Sequence, residues 1–271
     1  MDYLESMFGL SGKTAVVTGG AGAIGTVMSD ALLRAGANVV VWSRTKESIA
    51  SFLARYNDLP ELKSRVHGIQ LDTGKETAVA DAFNQSAKKF STPEILINGV
   101  GGNKGKTPFL DIDLDQFRDI LDMNLLAGLV VTTKLFCRHW IEKKIQGSII
   151  NLTSMTSYNP LSGVWAYDAA KAATLNLTMA SANEFAEYGI RVNAIAPGFF
   201  IGKQNKALLI DEKTGEYTAR GQSVISRTPF KRFGDVSELA GATIFLASSR
   251  ASGFVTGVSI PVDGGYLVHN I

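Results

Sequence analysis

Short apolar runs rich in β-branched residues alternate with longer stretches of helical period from residue 13 almost to the end of the 271-residue chain. This alternation limits the possible folds more than any other feature. Strands are expected at 13–18, 38–42, 66–70, 94–98, 147–152, 191–196 and 259–262, where β-branched residues cluster between turn-forming ones. Helices are expected at 23–35, 46–56, 75–90, 114–143, 166–187 and 235–247. Such repetition joins parallel strands by right-handed crossovers, so the expected architecture is α/β, a doubly wound parallel sheet of about seven strands with helices on both faces. Charged residues make up 19% of the chain, less than the roughly 25% usual in soluble domains, which suits a sheet covered on both sides. No linker or repeat divides the sequence, and residues 1–271 are read as a single domain. Only 202–233, long and mixed in charge, breaks the rhythm, and a substrate lid is expected there.

The charge balance excludes other classes. Lys and Arg number 27 against 25 Asp and Glu, with no block of like charge, so a nucleic-acid partner is not expected. No apolar stretch of membrane-spanning length is read, nor a signal peptide at MDYLESMFGL, so no membrane partner and a cytoplasmic location are expected. A lone cysteine, Cys137, reads as a small core hydrophobe, and no metal site is expected.

Between the first strand and first helix stands Thr18-Gly19-Gly20-Ala21-Gly22-Ala23-Ile24-Gly25. Small residues here let backbone approach a pyrophosphate, and the helix start offers free N–H groups with a positive dipole end. The context is that of a Rossmann-type nucleotide fold, with Gly19, Gly22, Ala23, Ile24 and Gly25 as cofactor contacts. After the second strand come Ser43 and Arg44, with no acid to take a ribose 2′-hydroxyl. An Arg in that place pairs with a 2′-phosphate, so NADP(H) is favoured and NAD(H) is the alternative. Asp72, after the third strand, is placed either to meet an adenine amino group or to cap the following helix.

Tyr167 and Lys171 are four residues apart at the start of a helix and so share a face. An ammonium beside a phenol favours the phenolate, which would let Tyr167 exchange a proton with an alcohol or ketone near neutral pH. Ser154, thirteen residues earlier at a strand end, lies on the same rim and could hydrogen-bond the reacting oxygen. Asn124 is a polar residue inside an apolar helical run, where its own reading is local helix bending or a buried amide satisfied by backbone.

Taken together, the glycine turn, Asn98-Gly99-Val100-Gly101, Asn124, Ser154, Tyr167 with Lys171, Pro197-Gly198 and Asp263-Gly264-Gly265 resemble the short-chain dehydrogenase/reductase family over nearly the whole chain. The resemblance implies an NAD(P)-dependent oxidoreductase with Asn124, Ser154, Tyr167 and Lys171 as the catalytic set. Tyr167 would be the general acid/base and Ser154 would orient the carbonyl. Lys171 would hold the nicotinamide ribose and tune Tyr167, and Asn124 would hold a water in the proton relay. Asn98, Gly99, Val100, Pro197 and Gly198 would line the cofactor. The sequence departs from the family pattern at Ala23, Gly99 and Gly202. A homotetramer paired through the helices at 114–143 and 166–187 is implied as well.

Within the family, the segments at 98–103, 197–205 and 227–234 look most like members of D-mannonate oxidoreductase (fructuronate reductase) and gluconate 5-dehydrogenase type. A keto or hydroxy sugar acid of six carbons is the implied substrate. Ser154, Asn103, Lys104, Lys203, Gln204 and Asn205 are its candidate contacts, since a carboxylate needs a cation and hydroxyls need amides. A 3-oxoacyl thioester reductase would share the same catalytic set, and a non-catalytic nucleotide-binding protein is the alternative from another class.

Overall fold

The computed structural model describes residues 2–202, 206–211 and 214–270. Seven parallel strands form one sheet: β1 (Thr14–Thr18), β2 (Asn38–Ser43), β3 (Val66–Gln70), β4 (Ile95–Asn98), β5 (Ser148–Leu152), β6 (Arg191–Pro197) and β7 (Ser259–Val262). Their order is β3-β2-β1-β4-β5-β6-β7, and every ladder is parallel, as expected of a doubly wound sheet. The main helices are α1 (Ala23–Arg34), α2 (Lys46–Ala54), α3 (Glu76–Lys89), α4 (Leu114–Lys143), α5 (Trp165–Phe185), α6 (Ala219–Arg227) and α7 (Val236–Ala247).

Alternation along each strand feeds two separate cores. In β1, β2 and β4, Ala15, Val17, Val39, Val41, Ile95 and Ile97 pack with α1 and α7 through Met28, Leu32, Leu33, Leu239 and Leu246. Their neighbours Val16, Val40, Trp42 and Leu96 point the other way, onto Val79 and Phe83 of α3 and Phe136 and Trp140 of α4. Cys137 belongs to this second core, where burial pushes its thiol up to about 12. Both faces being covered explains why the strands read as continuous apolar runs.

Helix α4 is not uniform. Its middle, Asp122–Val130, widens into a π-helix, which the sequence does not reveal. By length and composition α4 is also apolar enough to cross a membrane, correcting the expectation that no such stretch exists. Half of that apolar window is buried within the fold.

The segment expected as a lid carries a short helix, Lys206–Leu209, and α6, with Leu209, Val224 and Phe233 packed as a small third cluster. Isolated bridges pair Phe200 with Gly234 and Ile210 with Tyr217. Lys203, Gln204 and Asn205 lie outside the described residues.

The strand order reverses between β1 and β4, so their carboxyl ends splay apart and leave a crevice. Beneath it, the amide of Asn98 donates to Thr133 (3.0 Å) and Asn151 (2.9 Å) and accepts from the Thr132 hydroxyl (2.7 Å). Asn151 in turn donates to Thr178 (2.9 Å). This buried network ties β4 and β5 to α4 and α5 under the site.

Candidate active site

The crevice is a cleft of about 630 Å³, within the range of small-molecule sites. Its wall runs from the glycine turn past Ser43 and Arg44, across 99–102, to Ser154, Tyr167 and Lys171, and ends at Pro197 and Gly198.

The turn is built by close approaches. Gly19 has φ +64, and a Cβ there would stand 2.8 Å from the Gly99 carbonyl oxygen. At Gly25 a Cβ would lie 2.2 Å from the Gly19 carbonyl oxygen, so α1 can start against the turn only with glycine in that place. Gly22 provides no side-chain cap, and α1 has no acid in its first turn. The first amides of α1, from Ala23 to Gly25, therefore face the cleft without a competing anion, which suits a pyrophosphate. Ala23 sits at the helix start, where its methyl is accommodated. Gly99, the second departure from the family pattern, has a similar physical cause: a Cβ would lie 2.6 Å from the Thr18 carbonyl oxygen.

At the far end of β2, Arg44 is exposed, and among the described residues its guanidinium forms no ion pair. Beside it the hydroxyls of Ser43 and Ser48 meet at 2.8 Å, and Thr45 donates to Ser48 at 2.9 Å. Thr45 also caps α2. A cation, three hydroxyls and a helix start thus converge, and no carboxylate among the described residues lines the cleft. Thr45 and Ser48 were not singled out from sequence, although their spacing is a helix-cap signature.

Asp72 does not line the cleft. It is exposed, and its carboxylate accepts from the Gly74 amide at 3.0 Å within a local turn; helix α3 starts after Lys75 with no side-chain cap, so Asp72 does not cap it either, while Leu71 and Thr73 form the wall. Asn98 also lies outside the lining, because its polar atoms are committed to the buried network.

The reacting end is assembled from β5 and α5. Ser154 follows β5 and starts a short 3₁₀ turn, its hydroxyl accepting from the Thr156 amide at 3.2 Å. The Ser154 hydroxyl also bonds Tyr167, which favours the phenolate. Burial acts more strongly in the opposite sense and holds the Tyr167 phenol above its ordinary range. The lysine does not produce the lowering expected from sequence. Lys171 Nζ, 5.6 Å from the Tyr167 ring centre, donates to the Leu152 carbonyl at 2.8 Å. Its burial pushes the ammonium down to about 8. Both groups are thus displaced toward their neutral forms, an arrangement that keeps the proton on Tyr167 available for donation.

Asn124 lies on the π-helical stretch. Its amide donates to the carbonyls of Gly102 and Ile120 (both 2.8 Å) and accepts from the Gly102 amide (3.0 Å). A Cβ at Gly101 would stand 2.6 Å from Asn124 Oδ1 and 3.3 Å from Lys171 Nζ. The bare glycine backbone therefore lets Asn124 and Lys171 approach the same point.

Of the expected substrate contacts that the structure describes, Ser154 belongs to this set, whereas Asn103 and Lys104 are not gathered with it. Asn103 donates to the Gly105 carbonyl at 2.5 Å. Lys104 is paired with Asp119 at 3.1 Å. Both line a separate hollow of about 30 Å³ beside Trp165.

Comparison with known proteins gives this geometry its class. The short chain dehydrogenase family model matches residues 13–212, and the chain belongs to that family. It is 35% identical to the 2-dehydro-3-deoxy-D-gluconate 5-dehydrogenase of Formosa agariphila, over 96% of this chain and 95% of that protein. A crystal structure of gluconate 5-dehydrogenase from Burkholderia cenocepacia, in complex with NADP and tartrate, superposes with TM-score 0.87 at 31% identity, covering 98% of this chain and 99% of that one. A candidate D-mannonate oxidoreductase from Haemophilus influenza, with bound NAD, superposes with TM-score 0.89 at 31% identity and 99% coverage of both.

Proposed function

We propose that the protein is an NADP(H)-dependent reductase of a keto group on a six-carbon sugar acid, of the fructuronate/mannonate or 5-ketogluconate/gluconate type. The observation that carries the chemistry is the meeting of Ser154, Tyr167 and Lys171 at the end of a cleft whose other end is an uncapped helix start. The glycine positions that a Cβ would fill and the acid-free wall around Arg44 fit a 2′-phosphorylated dinucleotide. The first amides of α1 would hold its pyrophosphate and Arg44, Thr45 and Ser48 its 2′-phosphate. Sugar acids are the substrates named for the relatives above, which supports the substrate class.

The nicotinamide supplies the hydride when bound. Ser154 donates a hydrogen bond to the substrate carbonyl oxygen and fixes its direction. Tyr167 delivers its hydroxyl proton to the same oxygen as negative charge develops there. Lys171, fastened to the end of β5, keeps positive charge beside the tyrosine as the proton leaves. Asn124 locks the 99–102 segment along the cleft.

Assembly as a cytoplasmic homotetramer is part of the reading. Leu114 and Leu126 of α4 and Met179 of α5 are apolar yet half or more exposed, or nearly so, and such faces suit pairing between copies.

The test is a rate comparison over fructuronate, 5-ketogluconate, other keto-uronates and an acetoacetyl thioester, each with NADPH and NADH. Fastest turnover of a keto sugar acid with NADPH is expected. Preference for the thioester would overturn the substrate class. Tyr167→Phe should lower kcat by about 10²- to 10⁴-fold with cofactor affinity retained, and near-normal turnover in that variant would overturn the mechanism.

A further inference from the structure

Residues 155–166 are the whole covalent path between Ser154 and Tyr167, so whatever fixes this segment fixes the two hydroxyls relative to each other. The segment is tied to α5 at two points. The Ser157 hydroxyl donates to the Lys171 carbonyl at 2.7 Å, and the Leu161 amide donates to Asp168 Oδ2 at 3.0 Å. A third tie, from the Thr107 amide to the Gly163 carbonyl at 3.1 Å, joins it to the loop before α4.

Asp168 is an unusual choice for such an anchor. It follows Tyr167 directly, is 7% exposed, and forms no ion pair among the described residues. Its second oxygen, Oδ1, and the Thr156 hydroxyl are both buried without a well-formed hydrogen bond, although the hydroxyl faces the carboxylate and favours its charged form. A buried carboxylate with one oxygen poorly satisfied is costly to hold in this place. The charged and titratable groups that act on it are Lys106 from the loop before α4 and Tyr167 on its own helix.

We propose that Asp168 is a positioning residue for the Ser154–Tyr167 pair: its carboxylate anchors 155–166 through Leu161, and protonation weakens that anchor. This rests on the assignment of Ser154 and Tyr167 given above. Burial pushes the Asp168 carboxyl up to about 6, with the Leu161 amide, Thr156 and Lys106 opposing. The anchor is therefore at full strength above that pH and is lost below it, and asparagine should mimic the protonated form.

Hydrogen exchange of the full-length protein tests the anchor without any substrate. In wild type, peptides covering 158–164 should lose about tenfold in protection between pH 7.5 and 5.5, after correction for intrinsic rates. Asp168→Asn should match the acid form at both pH values, and Asp168→Ala should be less protected still. Kinetics with the best keto sugar acid then separates positioning from folding. Asp168→Ala should lose about tenfold or more in kcat/KM while its Kd for NADPH stays within twofold. Asp168→Asn should recover part of that loss and lack the acidic limb near pH 6 that wild type is expected to show. Equal protection in all three proteins, or an acidic limb retained by Asp168→Asn, would overturn the proposal. Absence of sugar-acid turnover in wild type with the exchange pattern intact would fault the substrate reading alone.

Discussion

Replacing Lys171 by methionine should inactivate the enzyme and make it more stable at neutral pH. The ammonium is 5% exposed and has no carboxylate partner, so burial lowers its pKa from 10.5 to about 8. That difference corresponds to about 3 kcal/mol of destabilisation, at 1.36 kcal/mol per unit. Because the folded-state value is the lower one, the unfolded chain binds the extra proton between about pH 8 and 10.5. Stability therefore rises with pH across that window, and the full penalty is present below it. Methionine has similar length and no charge, which removes the penalty, but it leaves the Leu152 carbonyl without its 2.8 Å donor, a loss of about 1 kcal/mol. The net gain is about 2 kcal/mol, or roughly 4 °C in Tm for a chain of this size. Thermal denaturation followed by circular dichroism at pH 7 and pH 10 measures it. The gap between variant and wild type should be evident at pH 7 and close to zero at pH 10. A variant no more stable than wild type at pH 7, or a gap independent of pH, would refute the reasoning.

Three further outcomes are expected. Arg44→Ala should lower the preference for NADPH over NADH by about tenfold or more, through loss of a charge-assisted contact, as measured by the two Kd values; an unchanged ratio would make Arg44 a surface charge only. Gly25→Ala places a methyl 2.2 Å from a backbone oxygen, so the turn must shift, stability should fall by about 1–3 kcal/mol, and cofactor affinity should fall with it in a calorimetric titration. Cys137, 1% exposed with its thiol pushed up to about 12, should resist a disulfide reagent at pH 8 until the protein is unfolded, and then react as one thiol.

Strand and helix positions were legible because their signals are local. Sheets buried on both faces need continuous β-branched runs, and amphipathic crossovers need helical period, so the seven strands fall within a residue or two of expectation. The π-helical stretch in α4 was not legible, since nothing in Met123-Asn124-Leu125-Leu126 distinguishes a widened turn from an ordinary one. The proposed catalytic residues could be listed from the motif, but not the state of their protons. Four-residue spacing places Lys171 near Tyr167 and suggests a lowered phenol, whereas desolvation, which depends on everything packed around the pair, raises it. Asn98 and Asp72 do not line the cleft for a related reason: sequence locates a side chain at a strand end and is silent on which neighbours claim its polar atoms.

By itself, then, the sequence determined the order of elements, the place of the phosphate turn and the identity of the Ser154, Tyr167 and Lys171 set. The first two follow from periodicity and from spacing within single elements, and the third from the resemblance that the ordered motifs carry. Only the tertiary structure decided that Lys104 is spent on Asp119 and that Gly101 lets Asn124 and Lys171 approach one point. It alone brought Asp168 behind the tyrosine as an anchor with one oxygen poorly satisfied. Burial and partnership are properties of segments that meet from far apart in the chain, and they set the charge and direction of every group at the site.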